Sequence, residues 1–370
     1  MKIEDFKLEK YFAKYEFNTQ YLLSISDCDG YSLKYVLDKA SDDEISLWEN
    51  LTLGYTEAPG SLLLRKAICQ YYKGIDEGNV LVASPGELNF SFMNVLLDSH
   101  DHVIVVSPCY QSLYEVAQSI GCATSYWHPN SYSGNFDVSD LVKLIKFNTK
   151  LIVINFPHNP TGAYLTRREL NKIVDIAREQ GIYIFSDEMY HKLIIADVEE
   201  LPPISDIYEK GISLWGTSKT FALAGLRIGW IVSRDKILLE KILAFKDYLS
   251  ICNSATSEVL ALIALNNFDK FVPYNINKIK NNIALFKNCC ARHHDILTFI
   301  EPKAGSTAVV QLNINETSLE FSEKLIEQEG VMTVPAEIFG FKGKNIRVGF
   351  GRDNFPEAIE RFEHFLIKYK

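Results

Sequence analysis

Five short apolar runs dominate the middle of this chain: NVLVAS (79–84), DHVIVVSP (101–108), KLIVINFP (150–157), IYIFSDE (182–188) and GISLWGTSK (211–219). A strand with one wet face alternates apolar and polar residues. These runs are nearly continuous, as strands covered on both faces require. Between the third and fourth lies TRRELNKIVDIAREQG, in which Thr166 and Glu169 form a capping box. Leu170, Ile173, Val174 and Ala177 fall on one helical stripe, and Gly181 supplies the stop. Strand, helix, strand in this rhythm predicts an α/β fold: a mostly parallel central sheet with helices on both faces.

After about residue 255 the rhythm changes. NNFDKFVPYNINKIKNNIALFKNCCARHHDIL reads as a long helix, and TAVVQLNI and NIRVGFG as shorter strands. The pattern predicts a large domain over 46–255 and a smaller α+β domain over 256–370, joined by the N-terminal segment 1–45. A chain of 370 residues has room for two such units. Cys289, Cys290, His293 and His294 have metal-like i,i+4 spacing on that helix, but no further ligand signature lies near; a solvated helix face and no metal are expected.

Charge and cysteine content narrow the function classes. A net charge of −9 argues against a nucleic-acid partner. No uncharged apolar run approaches the length of a membrane span. The seven cysteines are odd in number and contain no C-x-x-C, and the first twelve residues are charged throughout. Reduced thiols and a cytoplasmic location are expected.

Ligands of parallel sheets bind beyond the carboxyl ends of the strands. Every predicted strand end here carries unusual residues. Pro85-Gly86-Glu87-Leu88 opens a helix after the first; Tyr110 follows the second. His158-Asn159-Pro160-Thr161-Gly162 follows the third, Asp187-Glu188-Met189-Tyr190 the fourth. Thr217-Ser218-Lys219 ends the fifth, with Arg227 eight residues on. A pyridoxal phosphate (PLP) site needs these parts. They are an accessible lysine amine, a carboxylate for the pyridine nitrogen and donors to the phenolic oxygen. It also needs a stacking aromatic, and helix-start amides with an arginine for the phosphate.

The ordered set resembles the class I/II aminotransferases, a family of fold type I PLP enzymes. The matching residues are Gly54-Tyr55, Pro85-Gly86, Pro108-x-Tyr110, Asn159-Pro160-Thr161-Gly162, Asp187-x-x-Tyr190, Ser218-Lys219, Gly225-Leu226-Arg227 and Arg347. The resemblance implies that Lys219 carries PLP in a Schiff base and shuttles the substrate proton, and that Asp187 partners the pyridine nitrogen. It implies that Asn159 and Tyr190 hold the phenolic oxygen and that Tyr110 stacks on the ring. Arg227, with the Glu87 and Leu88 amides, would cradle the phosphate. Tyr55 would reach the phosphate of a second subunit, hence a homodimer with composite sites, and Arg347 would pair with the substrate α-carboxylate. Two positions depart from the family. Gly216 stands where a hydroxyl residue is usual, so that either one phosphate hydrogen bond is missing or Thr217 or Ser218 replaces it. Glu87 puts a carboxylate beside the phosphate, unfavourable unless it points away.

Within the family, LLSISDCDGYSL, LTLGYTEAPG and SPCYQSLYEVAQSIG resemble the branch containing capreomycidine synthase and the enduracididine-forming cyclase of guanitoxin biosynthesis. That likeness implies cyclisation of a hydroxylated arginine, with ordinary amino acid transamination as the alternative. A guanidinium tail needs carboxylates. The N-terminal segment offers Glu9, Asp27 and Asp29, with Asp27 and then Glu9 as the expected substrate residues.

Overall fold

The computed structural model describes residues 2–130, 134–340 and 343–369. Its strands in chain order are β1 (Tyr21–Leu22), β2 (Val80–Ala83), β3 (His102–Val106), β4 (Ala123–Trp127), β5 (Thr149–Asn155), β6 (Tyr183–Asp187), β7 (Gly211–Gly216) and β8 (Gly229–Ser233). The last third adds β9 (Leu297–Phe299), β10 (Thr307–Leu312), β11 (Val331–Met332), β12 (Val334–Pro335) and β13 (Asn345–Gly349). The central sheet runs β2-β8-β7-β6-β5-β3-β4. β8 runs antiparallel to both of its neighbours, β2 and β7, and the other neighbouring pairs are parallel. The five anticipated runs are β2, β3, β5, β6 and β7, and every residue of β2, β3 and β7 is buried.

Two further strands complete this sheet. The edge strand β4 is only partly buried, so its sequence lacks the apolar density of a core strand. The buried strand β8 lets β2 join the sheet. It pairs Gly229 with Gly216 at the end of β7, where a Cβ on residue 216 would lie 2.9 Å from Gly229 Cα. That close approach explains why position 216 carries no hydroxyl side chain.

The helix Arg167–Gln180 has the anticipated capping box. Thr166 Oγ1 accepts from the Glu169 N–H at 3.2 Å, and the Glu169 carboxylate accepts from the Thr166 N–H at 2.7 Å. Such a cap contributes about 0.5–2 kcal/mol. Its four predicted stripe residues are all buried, and Gly181 closes it at φ 68°.

The second sheet, β12-β13-β10-β9, is antiparallel. The N-terminal segment belongs structurally with it. Strand β1 pairs in parallel with β11, Gly349 N–H donates to Leu23 O at 2.7 Å, and Tyr11 Oη donates to Thr333 O at 3.0 Å. The long helix spans Phe268–Arg292. Its C-terminal face is not solvated as expected: Cys289, Cys290 and His293 are buried, because that face packs on the final helix, Phe355–Tyr369, with His293 Nε2 3.6 Å from a Glu363 oxygen. All seven cysteines are free thiols. Among the described residues no helix is long and apolar enough to cross a membrane.

Candidate active site

The carboxyl ends of β5, β6 and β7 open onto a cavity of about 570 Å³. Lys219 enters it from the loop after β7. That loop is fixed by Thr217: its N–H and Oγ1 both donate to Ile228 O (3.1 and 3.0 Å), and its carbonyl accepts from the Leu223 N–H at 3.1 Å. Thr217 is thereby fully engaged. Ser218 Oγ also faces the cavity and is buried without a hydrogen-bond partner, so Ser218 is the hydroxyl that would stand in at Gly216.

Asp187 ends β6 at the floor. It is buried, which pushes its carboxyl up to about 6; the Met189 N–H and the Lys219 charge work against that rise. A carboxylate in such a place is poised for a cationic partner. Asn155, which the sequence reading did not single out, organises this end of the sheet. Its Nδ2 donates to Asp187 O at 2.8 Å and its Oδ1 accepts from the Asn159 N–H at 2.9 Å. The only sequence signal for it was a polar residue closing a buried strand.

Arg347, on β13, is 1% exposed, and burial lowers its guanidinium to about 10. It donates to Asn159 Oδ1 and Ser24 O, and lies 5.1 Å above the Phe339 ring. Asp353, the acid six residues further on, pairs with Lys278 at 2.7 Å and not with Arg347. Tyr190 Oη is buried and unpartnered at the cavity wall. Tyr110 also lines the cavity, its hydroxyl donating to Glu9 Oε1 at 2.8 Å.

The phosphate end differs in detail from expectation. Arg227 lines the cavity and holds a left-handed backbone, φ 55°, a conformation that costs a non-glycine residue about 1–3 kcal/mol and that clusters at ligand sites. The Leu88 amide is not free for the cradle: it donates to Ser84 O at 3.0 Å as the first intrahelical bond of Pro85–Leu96. Gly86, at the second helical position, lines the cavity in its place. Glu87 points away, accepting from Ser250 Oγ at 2.6 Å, which removes the expected repulsion with a phosphate. Its own N–H makes a long 3.4 Å bond to the Ser84 cap. Tyr55 is 89% exposed and does not line its own chain's cavity.

The N-terminal segment closes the mouth. Glu9 and Asp27 both line it, as expected, and so does Glu16, which sequence reasoning missed because a lone acid at a helix end carries no pattern. Asp27 lies 3.7 Å from Arg352. Partial burial, then the Asp27 charge, raises the Glu16 carboxyl above its usual value, with Glu9 adding to the rise while Arg352 and Lys219 oppose it. Asp29 faces elsewhere, bridging Arg352 and Lys278. His158 and His191 do not line the cavity. Burial drives both down to about 3, so both are neutral scaffolding. His191 instead borders a cavity of about 20 Å³ beside Glu188, room for about one water.

Among the described residues, four polar atoms on side chains lining the large cavity, Asn89 Oδ1, Ser218 Oγ, Tyr190 Oη and Arg347 Nε, are buried without partners, as expected where a polar ligand completes a site. An amine and a buried carboxylate facing one such cavity meet the demands of PLP, and with this sheet they define a PLP-dependent enzyme of fold type I. Known proteins agree. Residues 18–362 match the model for aminotransferase class I and II, and the chain belongs to that family. It is 30% identical over 353 residues to an aspartate aminotransferase of Sulfurisphaera tokodaii, covering 87% of this chain and 84% of that one. It is 27% identical over 252 residues to capreomycidine synthase of Streptomyces vinaceus, covering 68% of this chain and 64% of the other. The crystal structure of a PLP-dependent aminotransferase from Streptococcus suis superposes with a TM-score of 0.93 at 27% identity, covering 100% of this chain and 99% of that one.

Proposed function

We propose that this enzyme cyclises a hydroxylated arginine to a cyclic guanidine amino acid. The observation that carries the reading is the trio of carboxylates, Glu9, Glu16 and Asp27, at the mouth of a cavity whose inner wall holds Arg347. An α-carboxylate on Arg347 and a guanidinium among the three acids would fix the substrate at both ends. The same acids disfavour a second carboxylate on the substrate, which argues against aspartate. The likeness to capreomycidine synthase points the same way.

Lys219, Asp187, Asn159, Tyr190, Ser218, Arg227 and the Gly86 and Glu87 amides would hold the cofactor. PLP, when bound, supplies an electron sink conjugated with the substrate α-carbon. Lys219 Nζ then takes the Cα proton and, for a 4-hydroxy substrate, a Cβ proton next. The hydroxyl leaves with one proton as water, a guanidine nitrogen bonds to the chain carbon and gives up its own proton, and protons return to each chain carbon that lost one, so that the net loss is one water. The cation-binding mouth holds that nitrogen near the chain and excludes bulk water.

Amino acid transamination is the second reading, favoured by the extent of the match to aspartate aminotransferase. Incubation with arginine, 3-hydroxyarginine and 4-hydroxyarginine separates the two. Cyclisation gives a product lighter by one water and needs no 2-oxo acid. Conversion only in the presence of a 2-oxo acid, to an oxo product, overturns the cyclase reading.

A further inference from the structure

Lys219 Nζ donates a hydrogen bond to Ser26 Oγ at 2.9 Å. Ser26 sits in the N-terminal segment, next to Asp27, and lines the cavity. Its backbone is pinned from several sides. Leu23 O accepts from the Gly349 N–H at 2.7 Å, Ser24 O accepts from Arg347, and Ser26 O accepts from Ser306 Oγ at 2.7 Å. Two glycines admit the segment to that position. A Cβ on Gly349 would lie 1.6 Å from Ile25 O, and one on Gly351 would lie 2.0 Å from Asp27 O, both impossible contacts. The segment 23–29 is thus seated directly on the end of β13.

From this we propose that Ser26 is a positioning residue for the free amine of Lys219. The lysine amine does two jobs in a PLP enzyme: it attaches the cofactor, and when displaced by substrate it moves the α-proton. In the second job it is a primary amine on a flexible four-carbon stem. Ser26 Oγ accepts one N–H and leaves the rest of the amine facing the cavity, narrowing the stem's rotamers at the moment the amine must meet Cα. The hydroxyl is held because its backbone is held. The inference rests on Lys219 as the cofactor lysine and not on cyclisation.

The test uses Ser26→Ala and Ser26→Thr enzymes. PLP is removed and added back, and covalent attachment to Lys219 is followed by borohydride trapping and peptide mass, with Lys219→Ala as the blank. Exchange of the Cα proton for solvent deuterium is followed with whichever of L-arginine, L-aspartate or L-alanine the wild type exchanges fastest. Ser26→Ala is expected to slow both attachment and exchange about tenfold or more, with KM changed by less than about twofold, since the lost bond orients the amine and does not bind substrate. Ser26→Thr, which keeps the hydroxyl, is expected to recover most of both rates. Wild-type rates in Ser26→Ala overturn the proposal. So does a Ser26→Thr enzyme as slow as Ser26→Ala at an unchanged melting temperature, which would make the position structural. Either result leaves the cyclase reading to its own product assay.

Discussion

Arg347 Nη1 donates to Asn159 Oδ1 across 3.2 Å, joining the second sheet to the carboxyl end of the first. Asn159 in turn hangs from Asn155, and Asn155 from the Asp187 carbonyl. The residue assigned to the substrate carboxylate and the one assigned to the cofactor ring therefore sit on one hydrogen-bonded chain. Replacing Arg347 by lysine keeps the charge but loses the planar fork, and leaves Asn159 Oδ1 or Ser24 O without its donor. Arg347→Lys is expected to raise KM for any amino acid substrate by tens-fold or more, equivalent to about 2–5 kcal/mol, with the absorbance of bound PLP retained. Steady-state kinetics with a parallel spectrum check this; an unchanged KM removes Arg347 from the substrate site.

Asp187 links pH to stability. In the folded cofactor-free chain burial pushes its carboxyl up to about 6, above the ordinary aspartate value of 3.8. The folded state therefore binds this proton more tightly than the unfolded one. Ionisation costs nothing below pH 4, then erodes stability as pH rises from about 4 to 6, reaching on the order of 2–3 kcal/mol. Cofactor-free Asp187→Asn is expected to melt higher than cofactor-free wild type at pH 7.5 and to converge with it near pH 4. With PLP added the order should reverse at neutral pH, because the asparagine offers no charge to a protonated ring. Melting curves at both pH values decide it, and parallel behaviour at pH 4 and 7.5 would contradict the burial argument.

The acidic mouth makes a selective prediction. Asp27→Ala should lower kcat/KM for a hydroxyarginine by at least tens-fold, and Glu16→Gln by several-fold, since the amide keeps a hydrogen-bond acceptor; the scale is that of losing one partner of a buried charge pair, about 2–5 kcal/mol. Both variants should keep the bound-PLP spectrum. Competitive inhibition by free guanidinium compounds should weaken in step. Unchanged turnover of hydroxyarginine by Asp27→Ala and Glu9→Ala together would place the guanidinium elsewhere.

Tyr55 is exposed in the single chain and is not part of its own cavity lining. Its expected role is on the phosphate of a partner subunit. Sedimentation should give a dimer. Tyr55→Phe should weaken PLP retention by about tenfold to a hundredfold, the scale of one lost hydrogen bond to a charged group, without changing the sedimentation profile. An active monomer excludes a composite site.

The legible part of this site was the part written in local pattern. Runs such as VIVV and LIVIN had to be buried strands, since continuous apolar residues have no other stable place. Polar residues closing such runs, Lys219 and Asp187 above all, had to emerge at one edge, because parallel strands end on the same side. The Thr166–Glu169 cap and the stop at Gly181 were equally local. The edge strand β4 escaped because half-buried residues blunt the apolar signal, and the Cys289–His293 face was misjudged because helical spacing does not say what the face packs against.

What the sequence determined by itself was thus five strands of the central sheet, the order of their strand-end residues and the cofactor they serve. Only the tertiary structure decided that Ser26 meets Lys219, 193 residues away, that Glu16 joins Glu9 and Asp27 along one cavity, and that the Leu88 amide is taken up by Ser84 O while Gly86 lines the cavity. Polar residues in loops carry no periodicity, and which of them meet depends on how distant backbones dock. Here the docking is set by Gly349 and Gly351, where the absence of two Cβ atoms lets one strand end carry the N-terminal segment.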